Sequence, residues 1–146
     1  MKTVILYYTF GGSTKKEAER LAAEQNAPVC RVKEAHSRGF LAAFIPGGLQ
    51  ARQRKASAIR PIDSDLRKYD RIIIGCPVWA GYPAPAFNAI LSLLPPGKEV
   101  EVYLCSAGGD SQKSAQGTKD LIAQKGCTLV SYRDVRTNTP PGKMKE

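Results

Sequence analysis

The sequence predicts an α/β fold, a doubly wound open parallel sheet of five strands in the order 2-1-3-4-5, and three observations lead there. Five apolar, strand-like runs alternate with helical patterns, the signature of βαβ units and a parallel sheet. The run Ile72-Ile73-Ile74 is apolar at consecutive positions, as in a strand covered on both faces. The second and fifth runs are interrupted by Arg31 and Lys33 and by Ser131 and Arg133, which suits edge strands. With right-handed crossovers, the first and third strands then lie inside the sheet. The direction of winding reverses between them, so the ligand crevice is expected at their carboxyl ends.

The elements follow in order. The first strand is Thr3 to Tyr8 and the first helix runs from about Thr14 to Gln25, with Ala18, Leu21, Ala22 and Gln25 on one face. Thr14 and Glu17 stand at capping-box spacing. The second strand is Pro28 to Lys33. A long excursion, His36 to Leu66, separates it from the third. Within it, Gly39 to Ile45 reads as a helix ending before Pro46-Gly47-Gly48, and a second short helix is expected near Leu49. The third strand is the Ile run. A helix over Ala84 to Leu94, a strand over Val100 to Ser106, a helix over Gln112 to Lys125 and a strand over Cys127 to Val135 complete the pattern. The remaining Arg136 to Glu146, with Pro140-Pro141-Gly142 inside it, is too short for a full fifth helix. An apolar sheet face would then be left bare, which points to a homodimer.

The 146 residues suit a single domain over 1–146 able to bury its own core. Cys30, Cys76, Cys105 and Cys127 show no metal-site spacing and sit in or beside apolar segments, so they read as reduced thiols of a cytoplasmic protein. No metal is expected. No apolar run approaches the length of a membrane span and no secretory signal opens the chain, so no membrane partner is expected. Net charge is +9, and residues 31–68 supply +6 of it, against +1 for 1–30 and +2 for 69–146. A basic segment attracts anionic partners, although a solvated surface produces the same count. Without interleaved aromatics, nucleic acid is an unlikely ligand.

Two loops carry the chemistry. Between the first strand and helix lies Tyr8-Thr9-Phe10-Gly11-Gly12-Ser13-Thr14-Lys15. Its glycines let backbone amides turn inward, its hydroxyls add donors, and the helix start adds unpaired N–H groups, together a phosphate cradle. The loop lacks GK[ST] and GxGxxG, so it supports neither a nucleoside triphosphate nor a dinucleotide site. After the third strand comes Gly75-Cys76-Pro77-Val78-Trp79-Ala80-Gly81-Tyr82-Pro83, which holds the only Trp. An indole there is placed either to stack on a planar ligand or to cap the edge of the core. His36, the only histidine, sits in a polar turn and reads as solvated. No residue reads as a catalytic acid or base. Asp110 reads as a cap for the helix that follows it.

Thr9-Phe10-Gly11-Gly12-Ser13-Thr14, taken with Tyr69-Asp70 leading into Ile72-Ile73-Ile74-Gly75-Cys76-Pro77-Val78-Trp79-Ala80-Gly81, resembles the flavodoxin family, short-chain proteins that bind FMN. The resemblance implies that Thr9, Gly12, Ser13 and Thr14, with Phe10 and Gly11 in the same loop, hold the FMN phosphate. It implies that Pro77, Val78, Trp79, Ala80 and Gly81 line the isoalloxazine, with Trp79 stacked on it. The third loop, Ser106, Ala107, Gly108, Gly109 and Asp110, would approach the ring edge. Gly11 stands where the family usually has Ser or Thr, and no residue from Ser106 to Asp110 is aromatic. One ring face would then be open. The implied function is electron transfer, as a carrier or an FMN-dependent oxidoreductase, quinone- or NAD(P)H-linked, working with a redox partner protein or a small-molecule electron acceptor. The alternative is a binding module without redox activity that uses its basic 31–68 segment on an acidic partner or nucleic acid.

Overall fold

A computed structural model describes residues 1–36, 38–39 and 46–137. Its central strands are β1 (Thr3–Tyr7), β2 (Val29–Arg31), β3 (Arg71–Trp79), β5 (Glu99–Ser106) and β6 (Thr128–Arg136). They pair in parallel in the order β2-β1-β3-β5-β6, which is the expected 2-1-3-4-5 arrangement when only these strands are counted. A two-residue strand, β4 (Tyr82–Pro83), folds back antiparallel on Val78 and Trp79. The hairpin turn is Ala80-Gly81, at φ 55° and 86°, left-handed at both positions as a tight hairpin requires.

The Ile run is buried because it faces two layers. Ile72 and Ile74, with Val4, Leu6, Val100, Val102 and Leu104, pack on one side against Phe87, Ile90 and Leu91 of α3 (Pro85–Leu93) and Ile122 of α4 (Gln112–Gln124). Ala51 of the short helix α2 (Pro46–Arg52) joins that layer. Ile73, with Ile5, Tyr7, Tyr103 and Cys105, packs on the other side against Ala18 and Leu21 of α1 (Ser13–Gln25). Alternation along each strand thus sorts a continuous apolar run onto two faces.

Three expectations are corrected. α1 begins at Ser13 with Gly12 as its cap, so Thr14 lies buried in the first turn and makes no capping box. Glu17 instead pairs with Arg20 and Arg133. Pro46-Gly47-Gly48 does not precede the short helix but forms its first turn, since proline's fixed φ suits a helix start. The helix read over Gly39 to Ile45 lies, apart from Gly39, outside the described residues, as do residues 138–146. Finally, the expected bare apolar face is polar among the described residues. Beside α1, that face carries Arg71 paired with Glu99 and Glu101, and Arg133 paired with Glu17. Charges at these outward positions solvate that part of the sheet.

Candidate functional site

At the carboxyl ends of β1, β3 and β5, where the winding reverses, three loops enclose a crevice of about 270 Å³. The loop from β1 to α1 contributes Phe10, Gly11, Ser13 and Thr14. The end of β3 contributes Pro77, Val78 and the turn residue Gly81. The loop from β5 to α4 contributes Cys105, Ser106, Ala107, Gly108, Gly109 and Asp110, and Thr137 closes the rim. Twelve of the sixteen residues singled out from sequence therefore meet around one space. Thr9, Gly12, Trp79 and Ala80 are not in its lining, while Cys105, read from sequence as a buried thiol, and Thr137 are.

At one end of the crevice is the amino end of α1. Gly12 turns the chain at φ 102°, a conformation that favours glycine. Thr9, buried, accepts the Gly12 N–H on its hydroxyl oxygen at 3.0 Å. Thr9 thus shapes the loop from behind. The first intrahelical bond runs from Lys16 N–H to Gly12 O at 3.1 Å, leaving the amides of Thr14 and Lys15 without an intrahelical acceptor. No acidic residue occupies the first turn. The helix end thereby presents unpaired amides and its positive dipole end with no negative charge among them.

Tyr103 fixes this end from below. Its hydroxyl donates to the Thr14 carbonyl at 3.0 Å, and its ring lies where any side chain on Gly75 would be, since a Cβ there would fall 2.1 Å from Tyr103 Cζ. Cys105 forms part of the crevice floor. Burial pushes its thiol up to about 11, against a smaller lowering by a hydrogen bond from the Thr14 side chain, so it is neutral near pH 7. Cys76 is raised as well, also by burial. The two thiols belong to opposite faces of the sheet, which rules out their pairing as a disulfide.

The other end of the crevice is apolar, and here Trp79 departs from its expected role. It is only 3% exposed, set edge-on to Tyr8 at 6.1 Å and to Phe10 at 5.6 Å between centroids. The Arg38 guanidinium lies 5.4 Å from its centroid. Trp79 is therefore the core-edge cap, and Phe10 is the aromatic that its support presents to the crevice. Behind it sits a polar cluster that sequence did not reveal. Tyr8 donates to Glu34 at 2.8 Å, Arg38 donates to Glu34 at 2.9 Å, and Arg38 also donates to the Gln50 side-chain Oε1 at 2.8 Å. Burial, then the Glu34 charge, raises the Tyr8 phenol well above its ordinary range. No local motif announces contacts between residues so far apart in the chain.

In the third loop, Ser106 donates to the Gly109 carbonyl at 2.6 Å and Asp110 accepts the Gln112 N–H at 3.0 Å. Asp110 does serve the start of α4, as expected, although the cap position itself is Ser111. Ser111 is fully buried and bonded to Asp134 at 2.7 Å. His36 is exposed.

Comparison with known proteins places this architecture. A flavoprotein from Lactobacillus acidophilus NCFM, whose crystal structure is a complex with FMN, is 28% identical, with 91% of this chain and 92% of that one covered at a TM-score of 0.72. The chain is flavodoxin-like. A Bacteroides uniformis structure superposes on the flavodoxin-like chain at a TM-score of 0.81 with 17% identity, over 94% of this chain and 92% of that one. Oxidised flavodoxin 1 from Bacillus cereus does so at 0.53 with 16% identity, over 98% and 88%. These two share the fold alone. No family model matches the sequence. Among the described residues, no helix of the flavodoxin-like chain is long and apolar enough to cross a membrane.

Proposed function

We propose that the crevice binds FMN and that the chain serves electron transfer, as a carrier or an FMN-dependent oxidoreductase acting with a redox partner protein or a small-molecule electron acceptor. One observation carries this reading: an anion-ready helix end and an apolar slot occupy the two ends of one crevice at the point where the sheet reverses direction. A phosphate ester joined to a flat ring matches that division. The FMN-bound Lactobacillus acidophilus relative supports the same ligand class.

The residues fit the group. The amides of Thr14 and Lys15, with the hydroxyls of Ser13 and Thr14, would hold the phosphate. Gly11 keeps that approach open, so the missing hydroxyl there leaves the backbone donors intact. Phe10, Pro77, Val78 and Gly81 would line one side of the ring, and Ala107 to Gly109 the other, with backbone rather than aromatic groups. Bound FMN supplies one- and two-electron chemistry; the chain orients it, excludes water and sets the surrounding charge. Among the described residues, Asp110 is the only carboxylate in the lining.

The test is a fluorescence titration of FMN into the folded apoprotein. Uptake at micromolar or lower concentration is expected, and Ser13→Ala with Thr14→Ala should weaken it about tenfold or more, through lost hydrogen bonds to a charged group. A folded sample that takes up no FMN would overturn the proposal.

A further inference from the structure

Beside the crevice, two cations share one tyrosine. The Arg54 guanidinium lies 5.2 Å and the Lys113 ammonium 5.7 Å from the centroid of Tyr82, the residue that follows Gly81 of the crevice wall. Lys113 passes directly over Gly81, where a Cβ would fall 2.1 Å from its Cε. Arg54 donates to Thr118 Oγ1 and to the Ser114 carbonyl, both at 2.9 Å, and a side chain at Gly117 would collide with it. Ser114 in turn donates to the Gly81 carbonyl at 2.7 Å. Arg54 is thus locked to α4 and, through it, to the crevice wall.

Arg54 lies just beyond α2 at φ 56°, with its own N–H on the Ala51 carbonyl and the Lys55 N–H on the Gln50 carbonyl. That is a helix-ending turn whose left-handed position favours glycine. Among the described residues neither Arg54 nor Lys113 forms an ion pair. Burial lowers the Arg54 pKa, and no carboxylate contributes to offset it. Two cations thus meet one ring, one of them half-buried, and neither has a carboxylate beside it among the described residues to serve as its counter-charge.

We propose that Arg54 and Lys113, gathered on Tyr82 beside Gly81, hold the phosphate or carboxylate group of a small-molecule electron donor or acceptor. The redox role of that molecule rests on FMN occupying the crevice; the anion site does not. Arginine's planar fork suits both oxyanions and the ammonium adds a point charge.

The experiment is an amide and Arg Nε–H NMR titration of the labelled, FMN-loaded full chain. One arm uses inorganic pyrophosphate, one malonate, and one a hexaglutamate peptide. Saturable shifts at Arg54, Gly81 and Tyr82 are expected with pyrophosphate, malonate or both, and the arm that responds names the oxyanion. Arg54→Gly and Lys113→Gln should each weaken the response about tenfold with the Kd for FMN unchanged. Arg54→Gly restores the favoured residue to the turn, and the surface change Lys113→Gln covers the case in which it does not fold. Absence of saturation by about 10 mM, beyond the weak-binding range, overturns the proposal. So do shifts indifferent to both variants, and so does a response to hexaglutamate alone, which would mark a face for an acidic protein. Run on the apoprotein, the same titration separates the two claims: shifts at Gly81 and Tyr82 in a chain that refuses FMN would uphold the anion site while removing the cofactor.

Discussion

Gly75 has no side chain to spare, because the Tyr103 ring crosses the sheet at that point on its way to the Thr14 carbonyl. Both residues are set by neighbours inside a close-packed layer where volume cannot be added without displacement. Gly75→Ala is expected to destabilise the chain by about 1–3 kcal/mol and to weaken FMN binding, since the displaced phenol would release the first turn of α1. Tyr103→Phe should cost about 1 kcal/mol through the lost hydrogen bond, the Thr14 carbonyl keeping the i+4 amide of its own helix. Urea unfolding with and without FMN checks both, and a Gly75→Ala variant as stable as the parent would refute the packing argument. At this scale the sequence was partly legible. The glycine and hydroxyl residues of the first loop announced a tight turn into α1, because backbone chemistry is local. Trp79 did not announce its direction, since whether an indole at a strand end faces ligand or core depends on Tyr8, Phe10 and Arg38, brought from other elements.

Among the elements, the segment after β2 shows how a long excursion is tied back to the sheet. Glu34 bridges to Ile59, and Ala35 and Arg60 bond to Ala58 and Lys33 at 2.8 Å. The Glu34 side chain, 5% exposed, gathers Tyr8 and Arg38. Glu34→Gln keeps the shape and removes the charge, leaving Arg38 in place over Trp79 without its counter-ion. Breaking a buried pair from one side costs about 3–5 kcal/mol; with Arg38 13% exposed, the lower end is expected. FMN should also dissociate faster, because Trp79 no longer braces Phe10. Stopped-flow release and thermal unfolding test this, and unchanged values in both would show the cluster to be inert. Strand and helix existence was readable from apolar periodicity, and the sheet order from which strands bear charge. Boundaries were less so. α1 starts at Ser13 because a left-handed Gly12 makes the turn, and the hairpin at Ala80-Gly81 has no strong turn signature of its own.

For the whole molecule, burial of weak acids makes stability depend on alkaline pH. Cys105 is raised to about 11 from an ordinary value of 9.0, and Cys76, Tyr8, Tyr103 and Tyr132 are raised as well, in each case chiefly by burial. Folding therefore holds protons that the unfolded chain gives up first, the thiols near pH 9 and the phenols near pH 10. The stabilisation is complete below the unfolded values and is lost as pH rises through the folded ones. For Cys105 alone the loss is about 1 kcal/mol by pH 10 and approaches about 3 kcal/mol beyond pH 11. The other groups add to it, so unfolding free energy should be nearly level from pH 7 to 8 and fall steadily above pH 9. Urea titrations at pH 7.5, 9 and 10 measure this, with Cys105→Ala as the control that should shallow the slope without abolishing it. A transition midpoint constant to pH 10 would mean that these groups reach water in the folded chain, and the dry crevice floor on which FMN is proposed to rest would not exist.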